Sequence, residues 1–180
     1  MAGKILVVVD MQEDFTRGAL RNEDGIRIIP KVAEKIAQAR AEGAEIIFTR
    51  DTHTDAYLET EEGKNLPVPH CIKGTAGWEI VPELTPADGD TVIDKETFGS
   101  FELGAVLRKR DEEMPVTEVE LIGLCTDICV ISNALLIKAF LPNAHIKVDP
   151  ACCAGVTPES HETALAAMQT CHVEIMDIVR

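Results

Sequence analysis

Short, almost wholly apolar runs alternate along the chain with stretches of helical periodicity. Residues 4–9 (KILVVV) form a β-branched run of the kind found in strands that are covered on both faces. Further runs that predict strands lie at 44–49 (AEIIFT), 91–95 (TVIDK), 116–123 (VTEVELIG), 145–149 (HIKVD) and 172–178 (HVEIMDI). The pattern therefore predicts six strands.

Helical periodicity fills most of the gaps between these runs. Pro30–Glu42 carries apolar residues at helical spacing, with Pro30 suited to the first turn and Gly43 to the C-terminal cap. Three further helices are predicted at Phe101–Arg110 with Ser100 near its start, at Asp127–Phe140 ending near Pro142, and from Thr157, with Pro158 first, to about Thr170. Alternating strands and helices predict an α/β fold, a three-layer α/β/α arrangement around a mostly parallel six-stranded sheet of Rossmann-like type.

Residues 50–90 do not follow this alternation. They are rich in Asp, Glu, Thr, Pro and Gly and lack sustained periodicity. An irregular segment of this length inside a compact domain is usually functional. We therefore expect one domain over residues 1–180, with a functional loop insertion at about 50–90.

Charge and cysteine content narrow the class of partner and the compartment. The formal net charge is −14, which argues against nucleic acid and anionic membranes, because both are bound by basic surfaces. No apolar run reaches the roughly 18 residues of a membrane span, and Asp10 interrupts the first apolar run, so it is a poor signal peptide. The six cysteines include no C-x-x-C pair, which favours reduced thiols and a cytoplasmic location.

Polar residues that end neighbouring strands are candidates for chemistry, because ligands collect at the carboxyl ends of parallel strands. Asp10 ends the first strand, Lys95 ends the third, and Cys129 follows the fourth. A thiol near a helix N-terminus with a lysine nearby is expected to have a lowered pKa, and a carboxylate can take its proton. Together these three residues predict a nucleophilic hydrolase, although each alone fits a turn, a surface lysine or a packed cysteine.

The segment GLCTDICV at 123–130 contains a second thiol, Cys125, in the turn before the helix. In the hydrolase interpretation, the backbone amides of Cys125 and Cys129 form an oxyanion hole and Cys129 supplies the sulfur. A redox pair of the two thiols is the alternative, and it requires the helix to begin before Cys125 so that both lie on one face.

The long loop contains a second candidate constellation. Asp51 and His53 are two residues apart at a strand end, so their side chains point the same way, and His70 lies in a stiff Pro-Val-Pro context. These three could bind one divalent cation; mixed N/O ligands suit zinc, iron or manganese. A solvated loop with surface histidines is the alternative, and Cys71 is a less suitable ligand because adjacent residues rarely reach one ion.

Five motifs together resemble a known family. VVVDMQEDF, DTH, PHCIKGTAGWE, DKETFGSF and GLCTDICV are similar, in order and rough spacing, to the motifs of nicotinamidases within the isochorismatase-like cysteine hydrolases. The resemblance runs from residue 5 to about 165. It implies a catalytic triad of Asp10, Lys95 and Cys129, a cis peptide at Leu124–Cys125, and a metal site of Asp51, His53 and His70.

The resemblance also implies finer features of the site. A glutamate of the loop is expected as fourth metal ligand, with Glu62 the first candidate and Glu61 close behind. The substrate pocket is expected to include Phe15, Gln12, Leu124 and Ile128. The metal is expected to be zinc, with iron or manganese as alternatives.

The implied activity is hydrolysis of nicotinamide to nicotinate and ammonia through a cysteine thioester. One departure concerns the substrate, since Pro67 occupies a position where nicotinamidases commonly carry an aromatic residue, and Tyr57 or Trp78 would have to supply the ring. Other small amides, N-carbamoyl compounds and ureido acids are the alternative substrates. A binding or redox protein with a structural zinc loop is the alternative class. The apolar helices predict a homo-oligomer.

Overall fold

A six-stranded sheet forms the centre of the protein, which is described by a computed structural model over residues 3–177. All strand pairs are parallel, and the strand order is β3-β2-β1-β4-β5-β6. The strands are β1 Gly3–Val9, β2 Glu45–Asp51, β3 Thr91–Lys95, β4 Val116–Leu124, β5 His145–Ala154 and β6 Glu174–Ile175. The predicted α/β fold with a mostly parallel six-stranded sheet is confirmed.

Helices cover both faces of this sheet. They are α1 Glu13–Thr16, α2 Glu23–Ala41, α3 Glu61–Asn65, α4 Phe101–Glu113, α5 Ile131–Phe140 and α6 Pro158–Thr170. Apolar residues of α2 pack on one face, and those of α4, α5 and α6 pack on the other. Two hydrophobic cores therefore enclose the strands, which is why the strands read as continuous apolar runs. No helix among residues 3–177 is long and apolar enough to cross a membrane.

The prediction for α2 was wrong at its N-terminus. The helix begins at Glu23, so Pro30 lies inside it and not in its first turn. The Asn22 side chain caps the helix by accepting a hydrogen bond from the Gly25 amide at 2.9 Å. Gly43 follows the helix with a φ of 77°, the left-handed conformation that ends many helices. Ile28 and Ile29 are buried and precede Pro30, so the predicted start was too late because Pro30 was placed in the first turn, not because apolar residues were missing before it.

Two other predicted elements differ in detail. The last strand is only Glu174–Ile175, and Ile178, the end of the predicted run, lies outside the described residues. The segment 50–90 is not without regular structure, because it contains α3 and three 3₁₀ turns at Tyr57–Glu59, Ala76–Trp78 and Pro82–Leu84. These turns are too short to produce a periodic pattern.

Candidate active site

Three charged or nucleophilic side chains meet below the carboxyl edge of the sheet. The Lys95 ammonium lies 2.7 Å from the Asp10 carboxylate and 3.4 Å from the Cys129 sulfur. All three residues are at most 5% exposed. Lys95 therefore holds a carboxylate and a thiol side by side in a site without bulk water.

Strand register explains why these residues meet. Lys95 on β3 is paired with Asp51 on β2, and its Nζ lies 3.2 Å from Asp51 Oδ1. Asp10 directly follows β1 with a φ of 48°, and Thr49 Oγ1 donates a 2.7 Å hydrogen bond to its Oδ1. Gly123 is required opposite β1, since a Cβ there would lie 2.1 Å from the Val9 carbonyl oxygen.

Burial dominates the electrostatics of this site. Burial raises the pKa of Cys129 well above its usual value; Asp10 adds to this and Lys95 opposes it. Burial likewise raises the pKa of Asp10, against the opposing effect of Lys95. For Lys95 burial alone would lower the pKa, but neighbouring negative charges, Asp10 first, outweigh it and hold the pKa well above its usual value. The expected lowering of the thiol pKa is therefore not found.

The raised pKa values of Cys129 and Asp10 determine which proton transfer these two groups can perform. A thiol with a raised pKa beside a carboxylate with a raised pKa is protonated at rest, and the carboxylate is a stronger base than an exposed one. The arrangement suits proton transfer from sulfur to Asp10 as the sulfur attacks, with Lys95 charged throughout.

Cys129 lies in a π-helical turn, Thr126–Val130, that precedes α5. The Leu124–Cys125 peptide is cis, as the resemblance implies. The Cys125 carbonyl accepts hydrogen bonds from the amides on either side of Cys129, those of Ile128 at 3.1 Å and Val130 at 3.0 Å. Burial raises the pKa of the Cys125 thiol as well, to about 12. The pKa thus does not separate the two cysteines, whereas the Lys95 contact to Cys129 does.

A buried asparagine that sequence reasoning missed fastens this turn. Asn133 Nδ2 donates to the Cys129 carbonyl at 2.8 Å and to the Phe98 carbonyl at 3.1 Å. Its Oδ1 accepts from the Ser100 amide at 2.8 Å. Asn133 therefore joins the turn with Cys129 to the loop that follows Lys95. The sequence did contain a signal for this role, since Asn133 is a side-chain amide in a mostly apolar helix, four residues after Cys129.

We expect Asn133→Leu to lower the free energy of unfolding by about 2–4 kcal/mol, because two buried backbone groups and one part-buried carbonyl lose a hydrogen-bond partner. It should also lower kcat, since the turn bearing Cys129 is no longer held. Urea unfolding followed by circular dichroism and steady-state kinetics measure the two effects. Asn143→Ala, an exposed asparagine, is the matched control. A change in unfolding free energy below about 0.5 kcal/mol for Asn133→Leu would contradict this role.

Four potential metal ligands converge beside the thiol. One atom from each of Asp51, His53, Glu62 and His70 lies within 4.8 Å of the others. His53 Nε2 lies 2.9 Å from Asp51 Oδ2 and 3.6 Å from Glu62 Oε1. Among the alternatives from the sequence, Glu62 points into the cluster, whereas the side chain of Glu61 is 85% exposed and pairs with Lys64.

The hydrogen bonds of the two histidines fit metal binding. His70 Nδ1 lies 2.8 Å from the Val68 carbonyl, which fixes the tautomer that leaves Nε2 free as a ligand. The contact of His53 Nε2 with Asp51 lacks hydrogen-bond geometry, so this buried nitrogen has no hydrogen-bond partner within residues 3–177. Two nitrogens and two carboxylates suit zinc, iron or manganese.

Gln12 was expected in the substrate pocket, but the structure places it behind the site. Its side chain is fully buried, accepts from the Asp51 amide at 2.7 Å, and donates to the Asp51 and Trp78 carbonyls at 2.8 Å each. Gln12 therefore positions Asp51. Asp14, which sequence reasoning missed, positions the histidine loop by accepting from the Cys71 amide at 2.8 Å.

A cavity of about 960 Å³ opens over the ligand cluster and beside the turn that carries Cys129, although Asp10, Lys95 and Cys129 do not themselves line it. Phe15, Cys125 and Ile128 line it, together with all four ligand residues. The expectation for Leu124 is wrong, because this side chain is fully buried in the core on the α2 face of the sheet. The resemblance implied Leu124 as a pocket residue, but its side chain points to the opposite face of the sheet.

Neither Tyr57 nor Trp78, the two rings expected to take the place of the usual aromatic residue, lines the cavity. Tyr57 is buried against His53 and His70, and its hydroxyl donates to the Leu66 carbonyl at 2.9 Å. Trp78 is buried with its Nε1 donating to Thr52 Oγ1. Phe98, which sequence reasoning missed, lines the cavity with Phe15. Its place three residues after Lys95 in the motif DKETFGSF was the available signal.

The fold and the site define the class of protein. A parallel sheet covered on both faces, with a thiol, a base and potential metal ligands at its carboxyl edge, is typical of an α/β hydrolytic enzyme. The model of the Isochorismatase domain matches residues 4–179. The chain therefore belongs to the isochorismatase family, and within it is an amide-hydrolysing member.

Known relatives share the whole fold. The nicotinamidase/pyrazinamidase of Mycobacterium tuberculosis is 28% identical, over 96% of this chain and 98% of that protein. The Pyrococcus horikoshii pyrazinamidase, solved in complex with zinc, is 32% identical with a TM-score of 0.84, covering 97% of this chain and 99% of that chain. The N-carbamoylsarcosine amidase of Thermoplasma acidophilum is 25% identical with a TM-score of 0.79, covering 99% of each chain.

Proposed function

We propose that the protein hydrolyses nicotinamide to nicotinate and ammonia through a thioester on Cys129. The contact of Lys95 with both Asp10 and Cys129, in the buried space beside the cavity, is the observation that carries the proposal. The similarity to a nicotinamidase/pyrazinamidase over nearly the whole chain supports the substrate.

Asp10 and Cys129 carry the two half-reactions in this scheme. Asp10 takes the thiol proton while the sulfur bonds to the amide carbon, and the same proton then goes to the leaving nitrogen as the C–N bond breaks. Asp10 next takes a proton from a water that attacks the thioester carbon, the C–S bond breaks, and the proton on Asp10 passes to the leaving sulfur to restore the thiol. The product acid loses its own proton to solvent. Lys95 stabilises negative charge on the sulfur and on Asp10.

Two backbone amides stabilise the oxyanion. The backbone N–H groups of Cys125 and Cys129 face the carbonyl carbon of the substrate from the turn that holds the sulfur. Preorganised hydrogen-bond donors at this position are most effective in stabilising the developing oxyanion. Removing one such donor typically lowers kcat about 10²–10³-fold.

The metal-ligand cluster holds and orients the substrate ring. A divalent metal on Asp51, His53, Glu62 and His70, which we propose to be zinc, supplies a Lewis-acidic point of attachment for a pyridine nitrogen or a water. Phe15 and Phe98 provide apolar contact for the ring. Gln12 keeps Asp51 in place, so the ligand cluster and Lys95 share one rigid carboxylate.

N-carbamoyl and ureido acids are the second candidate class, because a solved relative is an N-carbamoylsarcosine amidase. Such substrates carry a carboxylate. Arg21 is the one permanently cationic side chain among the described residues that line the cavity, and its guanidinium pairs with Glu23 at 2.8 Å. Glu61 and Glu96, which are not proposed metal ligands, line the same cavity and oppose an anion. Charge therefore favours a neutral amide.

Ammonia release by the zinc-loaded enzyme tests the proposal, with nicotinamide and N-carbamoylsarcosine compared in parallel. We expect turnover of nicotinamide in the usual range of about 1–10³ s⁻¹ and kcat/KM at least about 100-fold lower for the carbamoyl acid. A higher kcat/KM for N-carbamoylsarcosine would overturn the choice of substrate. Turnover of neither compound would reject both candidate classes.

A further inference from the structure

The cavity is much larger than a single ring carboxamide. Its volume of about 960 Å³ lies at the upper end of the roughly 300–1,000 Å³ of pockets that bind drug-sized ligands. Cys125 and Ile128, which flank the buried Cys129 in the same turn, line the cavity, whereas Asp10, Lys95 and Cys129 do not. A substrate as small as nicotinamide would leave the outer part without contacts.

The outer part of the cavity is apolar and exposed. Eight large hydrophobic side chains are exposed in the described part of the chain, and three of them line this one cavity. They are Leu66 at 37%, Phe98 at 44% and Val156 at 61% exposure. They come from three separate segments, after α3, β3 and β5. Single exposed apolar residues need no explanation, but their convergence on one cavity indicates a ligand surface.

The charges around this surface restrict what it accepts. Glu61 and Glu96 are exposed on the cavity lining, and Arg21 is already paired with Glu23. An anionic substituent would meet these carboxylates without a free cation to bind it. A neutral apolar substituent would cover Leu66, Phe98 and Val156.

We infer that the preferred substrates are ring carboxamides that carry a neutral apolar substituent of about the size of a second ring. The inference rests on the proposed amide hydrolysis at Cys129. The carboxamide lies at the thiol, and the substituent occupies the outer part of the cavity. Contacts remote from the reacting bond then contribute to kcat/KM.

Substituted nicotinamides test this inference. The zinc-loaded enzyme is assayed for ammonia release from nicotinamide, 5-phenylnicotinamide, 6-phenylnicotinamide and 5-carboxynicotinamide. We expect kcat/KM for the better phenyl compound to exceed that for nicotinamide at least about tenfold, the effect of small apolar groups in a fitted pocket. The carboxy compound should fall below nicotinamide.

A matched pair of variants locates the effect. Leu66→Ser should reduce the ratio of kcat/KM for the phenyl compound to that for nicotinamide by about tenfold. Leu135→Ser changes a leucine of the same 37% exposure outside the cavity and should leave that ratio as it is. Equal ratios in the two variants would overturn the assignment of the substituent to the outer cavity.

The outcomes separate this inference from the proposed function. Turnover of nicotinamide with lower kcat/KM for both phenyl compounds overturns the inference and keeps nicotinamide as the substrate. Turnover of a phenyl compound without turnover of nicotinamide supports the inference and rejects nicotinamide. Absence of turnover with every compound rejects both.

Discussion

Cys129→Ala is expected to lower kcat for nicotinamide by at least about 10⁴-fold, because losing the nucleophile removes the covalent route and leaves only binding and the oxyanion hole. The fold and the metal should remain, since alanine fits where the buried thiol was and none of the four proposed ligands changes. Ammonia release and metal content of the purified variant measure the two effects. The metal should stay near the wild-type stoichiometry.

Cys152→Ala is the matched control for this experiment. Cys152 is 4% exposed, against 5% for Cys129, and lies in the core on the opposite face of the sheet. The same substitution there removes a buried thiol of similar environment without touching the site. Turnover retained in Cys129→Ala would refute the thioester scheme, and equal losses in both variants would point to folding and not chemistry.

His53→Ala is expected to weaken metal binding by at least about 100-fold. Removing a residue that only hydrogen-bonds a metal ligand already lowers metal affinity by about 10–100-fold, so removing a ligand itself should cost at least as much. One of four ligands disappears, and Asp51 loses the imidazole 2.9 Å away. Elemental analysis after dialysis against a weak chelator measures the metal content. Nicotinamide turnover should fall with it, because the ring loses its point of attachment.

His145→Ala controls for loss of a histidine as such. The His145 side chain is 51% exposed and pairs with Glu174, far from the cluster in sequence and on another strand. Its metal content should equal that of the wild type. Unchanged metal content in His53→Ala would remove His53 from the ligand set, and the proposal would then rest on Asp51, Glu62 and His70 alone.

Most of the fold was predictable because the strands are covered on both faces. Burial on both sides gives β1 and residues 46–48 of β2 continuous apolar runs that need no tertiary information to be recognised. The start of α2 was predicted too late because Pro30 was placed in the first turn, although Ile28 and Ile29 before it are buried. The helix α3 spans only five residues, which is too short to give a periodic pattern.

The candidate site was predictable in its residue types and only partly in its contacts. Asp10, Lys95 and Cys129 end or follow strands, so the topology of a parallel sheet suffices to bring them to one edge. Lys95 meets Asp51 because those two residues are paired in register across β2 and β3. The catalytic role of Cys129 is the proposal that Cys129→Ala tests.

The sequence by itself determined the alternation of elements, the edge of the sheet that carries the chemistry, and the set of nucleophile, base and ligand candidates. These follow from local periodicity and from the direction of parallel strands. Only the tertiary structure decided that Glu62 and not Glu61 faces the cluster, that Gln12 and Leu124 lie behind the cavity, and that Asn133 and Phe98 belong to the site. It also decided the raised pKa of Cys129. Burial and side-chain direction depend on contacts between residues distant in the chain, and local pattern does not encode them.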